Sequence, residues 1–563
     1  MSVGVPELQS LADSVVEQAK PGEQIEAYVS RGGETSVRVY EGELEHFVSA
    51  QSEGVGIRII KDGRTGFAYA GTLEPSAIAE VLAEARDNIQ FGTVDQWAGL
   101  AEPDGVAQIP QKFWDEELAN YPTDKKIEIT KELEKLTLAA DARVRSEQSN
   151  YEDGWAETAV STTTGIRESG RGNSCYVSVA TLADDGDEAQ TGFGFSVGDS
   201  PKEFDLNKAA REAADRATRL LGATKPASKS VTIVLDPYVT SQFVSILSSA
   251  LNGENLAKGR SLFRDRLNEQ VADPRFTLVD DPTNPLAYTA TDIDGEGLAA
   301  RRNILIENGV LKKFVHSSYS ARRMNTKSTG NATRGGFSGG PGVGCLAMQV
   351  QPGNKTQAEL ISAIDDGVLI QDVSGMHSGV NTISGDFSTG ASGIVIKNGT
   401  LGAPIREFTI ASTLQKMLLN IVDLGNDIDW LPMRAVGLSL VISDVMMPEM
   451  DGFEATVQIR KDPRWRKLPI IAVTAKAMKD DQERCLQAGS NDYLAKPIDL
   501  DTLVASAKTE EQRVEIYTAS RLTIEPDTRT ERGYLDMLAG RLGLPDALVD
   551  HIEATVASAK VSL

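Results

Sequence analysis

Histidine and cysteine are both scarce here, four and three respectively in 563 residues, and that scarcity removes several kinds of chemistry at once. Cys175, Cys345 and Cys485 lie far apart with no CxxC spacing, so neither a disulfide framework nor a zinc ribbon is indicated, and reduced, mostly buried thiols are expected. His46, His316, His377 and His551 are too widely separated for any two to be within helical reach, which leaves no pair for a zinc-binding helix. Basic charge is also short. A net charge of -24 and a pI near 4.8 set the chain against non-specific binding to nucleic acid or an anionic bilayer, both of which repel such a surface. No apolar run approaches the roughly 18 residues needed to span a membrane, and MSVGVPELQS at the start has no basic segment followed by an apolar stretch. A cytoplasmic protein is expected.

The length allows about three to four domains, and 40% hydrophobic residues is ordinary for globular cores. Leu8 to Ala19 has helical apolar spacing, and Ile25 to Ile60 turns to strand alternation broken by Gly32-Gly33, Gly42 and Gly54. Lys61-Asp62-Gly63-Arg64 between apolar runs predicts a hairpin, because Asp-Gly supplies the positive φ angles of a tight turn. Helices are predicted at Ser76 to Asn88, Lys125 to Ala142 and Leu206 to Leu221, with strands from Val144 to Phe195. Lys225 to Lys229 reads as a domain boundary. A strand, Val231 to Leu235, and a helix opened by proline, Pro237 to Leu251, begin the next region. Glycine-rich strands and loops follow to about Gly402, then a helix over Leu414 to Leu424 and a closing strand over Leu438 to Asp444.

The segment SGMHSGVNTISGDFSTGASG, Ser374 to Gly393, resembles the signature of TldE (PmbA) subunits of the TldD/TldE metalloprotease family. FTLVDDPTNP at Phe276 to Pro285, the stretch Asp292 to Arg322, and ATRGGFSGGPGV at Ala332 to Val343 match the same family in order, so the resemblance spans roughly Leu8 to Val441. It implies an α+β subunit of two domains, residues 1–225 and a β-rich 226–441, that pairs with a TldD-type subunit as a heterodimer, or with a second copy, around a chamber where unfolded peptides are cut. TldD subunits carry HExxxH on the helix corresponding to Pro237 to Leu251, whose imidazoles hold zinc while the glutamate activates water. Here that segment reads SQFVSILSSALNGENL from Ser241, with no histidine. No catalytic residue, metal ligand or cofactor is therefore expected in this chain, and zinc would belong to the partner. His377, Ser378, Asn381, Ser384 and Asp386 are candidates for lining a peptide groove or interface, although Ser, Asn and Asp also satisfy their own turns. The glycines from Gly335 to Gly344 resemble a phosphate loop, yet no Lys-Ser/Thr pair follows them. Tight turns and close backbone approach are the expected role.

From Val441 to about residue 507 the sequence resembles the second half of a response-regulator receiver, with alternating strands and helices that imply a parallel sheet. The resemblance makes Asp444 the phosphoacceptor, Thr474 the switch hydroxyl and Lys496 the phosphoryl-pairing lysine. The first strand with its acidic pair has no sequence to come from, so the magnesium site is incomplete. Asp280-Asp281 mimics that pair only by coincidence. Residues 508–563 resemble the end of a TerB-like (YebE-type) helical domain, with helices predicted at Glu511 to Ile524, Thr530 to Leu542 and Pro545 to Ala559. Val514, Tyr517, Leu522, Tyr534, Leu538, Leu542, Leu548 and Ile552 are expected to share one face. Both junctions fall where the neighbouring families use similar residues, the pattern of recombination or artificial splicing. The expected fold is α+β, followed by an α/β half receiver and a helical tail. The expected function is a non-catalytic TldE-type subunit of a zinc metalloprotease complex acting on unfolded peptides. The alternatives are a phosphorylation-responsive binding module, or a metallopeptidase in its own right.

Overall fold

A computed structural model describes residues 5–186 and 189–447 and, beyond these, 452–461, 466, 470–474, 486–490, 492–495, 504, 507, 509–523 and 529–561. The chain forms two compact units, Met1–Pro448 and Glu449–Leu563. The first begins with a helix, Val5–Val16, and a six-stranded antiparallel sheet in the order Arg64–Ala70, Glu43–Lys61, Gln24–Tyr40, Val144–Thr162, Arg167–Asp184, Ala189–Gly198. The predicted hairpin forms, with φ of 51° at Asp62 and 72° at Gly63, the left-handed pair that two-residue hairpins need. Of the glycines expected to break the strands, only Gly42 turns the chain. Gly32-Gly33 and Gly54 run through continuous strands, because other groups lie where their side chains would be: a Cβ on Gly33 would meet Trp155 Nε1 at 2.5 Å, and one on Gly54 would meet Phe337 Cε2 at 2.6 Å.

Helices cover the sheet by matching small residues to small residues. Ala209, Ala213 and Ala217 of the helix Leu206–Thr218 are fully buried, and Gly194 and Gly192 sit so close beneath that an added Cβ would lie about 2 Å from the Ala209 and Ala213 carbonyl oxygens. Helix and strand therefore approach backbone to backbone. On the other end, Leu8, Ala12 and Val15 pack with Ile57, Ile59, Val81 and Leu82.

The second sheet of this unit is mixed, in the order Thr400–Thr413, Asp386–Lys397, Asp366–Ser374, Lys229–Leu235, Leu440–Met447, Ile421–Leu424. Its one parallel pair joins Lys229–Leu235 to Asp366–Ser374. The helix Pro237–Ala250, capped by Asp236 through the Val239 amide at 3.0 Å, buries Val239, Phe243, Val244 and Leu247 in the largest core. The helix expected over Leu414 to Leu424 stops at Leu419, and Ile421–Leu424 is a strand. It is an edge strand of this sheet: Ile421 and Leu424 point into the core while pairing with Ile442 and Leu440.

Leu440–Met447 departs most from the receiver reading. It runs antiparallel to both neighbours, Lys229–Leu235 and Ile421–Leu424, and Met446 bridges Ala411. Leu440, Ile442, Val445 and Met447 are at most 1% exposed. Asp444, expected as a phosphoacceptor on a parallel strand, instead occupies an exposed bulge at φ 55°, where the Ser230 hydroxyl donates to its Oδ1 at 2.5 Å.

In the second unit, Ile471–Thr474 pairs in parallel with Asp492–Ala495, and a helix covers Gly452–Lys461. Thr474 ends its strand; Lys496 lies outside the described residues. Helices cover Glu510–Thr523, Arg529–Leu542 and Asp546–Val561, close to prediction. Tyr517, Leu538, Leu542 and Ile552 form a buried cluster with Leu535 and Ala507, against which Val514 and Leu548 pack. The side chains of Leu522 and Tyr534 lie outside the described residues.

A buried ion triad ties the N-terminal sheet to the second region of this unit. Glu26 on the N-terminal sheet accepts from Arg58 at 2.8 Å and from Arg334, of the second region, at 2.7 Å, with Glu26 and Arg334 only 1% and 2% exposed. Burial alone would raise the Glu26 carboxyl, but the two guanidiniums hold it below its ordinary value. Arg334 also donates to the Gly295 and Gly339 carbonyls and lies over the Tyr28 ring at 4.4 Å. Removing one partner of such a pair strands a buried charge. Arg334→Met should lower the unfolding free energy by about 3 kcal/mol in guanidinium melts, and a loss below about 1 kcal/mol would contradict this account. At Asp444, incubation with acetyl phosphate and magnesium is expected to leave the intact mass unchanged; a stoichiometric phosphate adduct would show that the bulge is a working acceptor.

Candidate functional site

The glycine-rich signature folds as strand, single helical turn and strand: Asp366–Ser374, Met376–Gly379 and Asp386–Lys397. Gly375, at φ 75°, lets the chain leave the first strand. Asn381, Ser384 and Asp386 are exposed and bind one another. The Asn381 side-chain oxygen accepts from the Ile383 and Ser384 amides at 2.9 and 3.1 Å, and the Ser384 hydroxyl donates to Asp386 Oδ2 at 2.6 Å. The Gln415 amide group donates to the Ser384 carbonyl at 3.0 Å. Three of the five candidates thus come together as a self-satisfied turn. His377 and Ser378 lie on the helical turn, their side chains outside the described residues.

A larger polar assembly, missed by sequence reasoning, lies in the interior between Asp280 and Asn331. Asp280 is fully buried and accepts from Asn331 Nδ2 at 2.6 Å and from the Leu346 and Ala347 amides at 2.9 and 2.7 Å. Burial pushes its carboxyl up to about 6. Asn303 joins the Thr329 carbonyl to the Asn331 side chain and accepts from Lys313 Nζ at 3.0 Å. Asp294 accepts from the Glu296, Leu298 and Ala332 amides, while Glu296 takes both the Ser318 amide and its hydroxyl. Burial, and then the Glu296 carboxylate, push the Asp294 carboxyl up. Asp280 and Asp294 hold backbone amides of neighbouring segments and Glu296 holds the first amide of the helix Ser318–Arg323, so the arrangement fastens DIDGEG to ATRGG and to that helix. The glycine loop is looser than expected. A Cβ on Gly335, Gly339 or Gly340 would meet nothing within 4 Å, and only Gly336, at φ 129°, sits where glycine is required. Close backbone approach is not what these glycines provide.

The helix that would carry a zinc motif holds none of its groups. Thr240 and Ser241 are its buried polar side chains, and the Ser241 hydroxyl donates back to the Tyr238 carbonyl at 2.7 Å. The Ser241 hydroxyl is satisfied by its own helix, and neither it nor Thr240, with Phe243, Val244 and Leu247 alongside, fits zinc, which takes histidine, cysteine or carboxylate. Among the described residues no three His, Cys, Asp or Glu side chains gather where they could hold a metal ion. Cys345 and Cys175 are buried, and burial pushes both thiols up. No helix among the described residues is long and apolar enough to cross a membrane.

His316 is buried, its ring contacting the Ser320 hydroxyl at 3.2 Å. Burial lowers its pKa to about 4 from 6.5. The neutral form is therefore favoured in the folded state, so its contribution is fully present above pH 6.5 and is lost as pH falls through 4. Asp236 and Asp280, each raised to about 6, act with the opposite sign over part of that range. His316→Gln removes the histidine alone. Urea melts at pH 7 and pH 4 are expected to show a parent-minus-variant stability difference that shrinks by about 1–3 kcal/mol toward acid; a difference independent of pH would rule out the buried neutral imidazole.

An open cleft of about 710 Å³ is lined by residues of the N-terminal sheet and of the loop 285–293, among them Gly154, Gly172 and Tyr288. Its residues are scattered along most of the first unit, and no motif announces them.

Comparison with known proteins places this architecture. Residues 25–89, 116–221 and 228–454 match, in order, domain 1, the central domain and the C-terminal domain of the PmbA/TldA metallopeptidases. Residues 423–508 match the response regulator receiver domain, and 471–556 match a family of unknown function, DUF533. The receiver match overlaps the metallopeptidase match through Leu440–Met447, which the structure gives to the metallopeptidase sheet. Metalloprotease PmbA of Escherichia coli O157:H7 is 25% identical over 429 residues, covering 76% of this chain and 91% of the relative. A metalloprotease PmbA homolog of Haemophilus influenzae is 26% identical, covering 75% and 92%. The crystal structure of TldE from Thermococcus kodakarensis shares the fold, with a TM-score of 0.72 and 24% identity over 79% of this chain and 100% of that one. Three consecutive domain matches on one continuous fold carry the assignment: from residue 25 to 454, the chain belongs to the PmbA/TldD metallopeptidase family.

Proposed function

We propose that this chain is a cytoplasmic, non-catalytic TldE-type subunit that combines with a TldD-type subunit to form a zinc metalloprotease acting on unfolded peptides. The observation that carries the proposal is the helix Pro237–Ala250, where a catalytic subunit would place HExxxH: its polar side chains are hydroxyls and one amide, with no histidine or glutamate, and its apolar face is core. Hydrolysis of a peptide bond by a zinc enzyme needs a metal-bound water and a base beside it, and these residues supply neither. The metal would be the partner's. This chain would contribute walls to the shared chamber and hold the peptide extended for cleavage.

Nothing in the geometry favours the two alternatives. A metallopeptidase in its own right would need ligands that do not gather among the described residues, and a phosphorylation switch would need Leu440–Met447, which has neighbours on both edges in the metallopeptidase sheet.

The proposal is tested by peptidase assays on an unfolded peptide, with the purified chain alone and mixed with a TldD-type subunit, together with metal analysis of the isolated chain. Activity confined to the mixture, and no stoichiometric zinc in the chain alone, are expected. Chelator-sensitive hydrolysis by the chain alone would overturn it, as would a mixture no more active than the TldD-type subunit by itself.

A further inference from the structure

The strand Glu43–Lys61 is paired along its whole length on one side only. Gln24–Tyr40 runs beside it from Gln24, opposite Ile60, to Tyr40, opposite Glu43, whereas Arg64–Ala70 covers only Val55 to Lys61 on the other side. Residues 43–53 are therefore a free edge of the N-terminal sheet among the described residues, and all of them except Val48 are exposed. Alternate residues of an antiparallel strand turn their N–H and C=O groups outward, so about half of this run offers unpaired backbone. It carries no proline or lysine, the usual guards of an edge. Its one irregularity is the register shift between Arg38 and Val39, which bulges Glu45 and leaves His46 to Glu53 regular.

The core beneath this edge is unfinished. Val37 and Val39 are fully buried, and the residues opposite them, Phe47 and Leu44, share their face of the sheet yet remain 42% and 41% exposed. A strand laid alongside would cover both. Charge decides which strand. Acids stand at the two ends of the run, Glu43 and Glu45 at one and Glu53 at the other, and the residues from His46 to Ser52 between them include no Asp, Glu, Lys or Arg. The cations beside these acids are loosely paired or engaged elsewhere. Lys131 lies 3.5 Å from Glu43 and Arg38 3.9 Å from Glu45, both at the surface, where such pairs hold weakly. Arg31, opposite Glu53, pairs with Glu157 at 2.5 Å. A second copy running antiparallel along the run would set Glu43 of each chain opposite Glu53 of the other, and like charges directly opposite are destabilising.

We propose that the edge formed by residues 43–53 receives a β-strand from another protein chain, a segment with lysine or arginine near both ends and an uncharged, alternately apolar middle. The strand lies in line with Arg64–Ala70, in the place beside the sheet left open beyond Ala70. Main-chain hydrogen bonds to the outward groups hold it, its cations meet Glu43, Glu45 and Glu53, and its apolar residues cover Leu44 and Phe47. Binding of this kind is a property of this chain alone and does not depend on its being a peptidase subunit.

The test is fluorescence anisotropy of the full chain with a labelled eleven-residue peptide, lysine at both ends and alternating threonine and valine between, against the same peptide with glutamate at both ends. The lysine peptide is expected to bind at least about tenfold more tightly at low salt, and by a smaller factor at high salt. Methylating its backbone nitrogens at every second residue should cost about tenfold or more for one of the two possible sets and about twofold or less for the other, since only one edge of an added strand bonds to the sheet. Glu43→Lys with Glu53→Lys should weaken binding by about fivefold or more, and these exposed side chains can change without disturbing the core. Hydrogen exchange read by mass spectrometry should show the amides of residues 43–53 slowed by the peptide. No binding, equal affinity for the lysine and glutamate peptides, equal loss from both methylated sets, or protection that avoids this run would overturn the proposal. So would a peptide-free chain that dimerises with the same amides protected, which would give the edge to a second copy.

Discussion

A carboxylate sealed between two guanidiniums fixes how the N-terminal sheet of the first unit meets the glycine-rich loop that follows Thr333. Glu26 begins in the N-terminal sheet, Arg58 reaches it from the adjacent strand, and Arg334 arrives from more than three hundred residues further along. Charges removed from water this completely are tolerable only when paired and well supplied with hydrogen bonds. Arg334 meets that condition through two carbonyls, the carboxylate and the Tyr28 ring. Around this point other polar ties line the same boundary: Arg322 donates to the Trp97, Gly99 and Leu100 carbonyls, Arg301 pairs with Asp104 at 2.7 Å, and Lys208 pairs with Asp429 at 2.5 Å. Polar contacts have strict geometry, so they fix orientation where apolar contact alone would allow sliding.

The same unit decides the fate of the receiver-like sequence. Residues 423–454 satisfy two family patterns at once, because a buried strand of either fold is a short apolar run with an aspartate near its end. A strand can be spent only once. Here Leu440, Ile442, Val445 and Met447 fill the core beneath the mixed sheet, and their neighbours are antiparallel. The second unit keeps two parallel strands, Ile471–Thr474 and Asp492–Ala495, without the acidic first strand that a phosphoryl-accepting site requires. The tail helices bury Tyr517, Leu538, Leu542 and Ile552 together with Ala507, so the fragment gains part of its core from the last receiver-like segment.

The candidate site was legible in part. The absence of a zinc motif could be read directly, since ligands are particular residue types and none stand in the helix from Pro237. The polar loop Asn381 to Asp386 was also visible, and its turn-satisfying role comes from residues two or three apart that reach one another's backbone. The buried network of Asp280, Asp294, Glu296, Asn303 and Asn331 was not legible as a unit, because its members serve amides contributed by distant loops. Only the run DIDGEG hinted at it. The cleft was less legible still, because its lining comes from strands and loops far apart in the chain.

Local chemistry, by itself, determined the α+β content, the Asp62-Gly63 hairpin, the capped helix after Asp236, the family, and the absence of histidine from the helix that starts at Pro237, since each depends on residue identity within a few positions. Tertiary structure alone decided which glycines turn and which merely make room. Gly33 and Gly54 read as breakers until Trp155 and Phe337 are seen filling the space where their side chains would stand. It also decided that Ile421–Leu424 is strand rather than helix, and that Asp444 serves a bulge. In each case the deciding partner lies far away in the chain, and the free energy of burying an apolar strand against it outweighs the local preference.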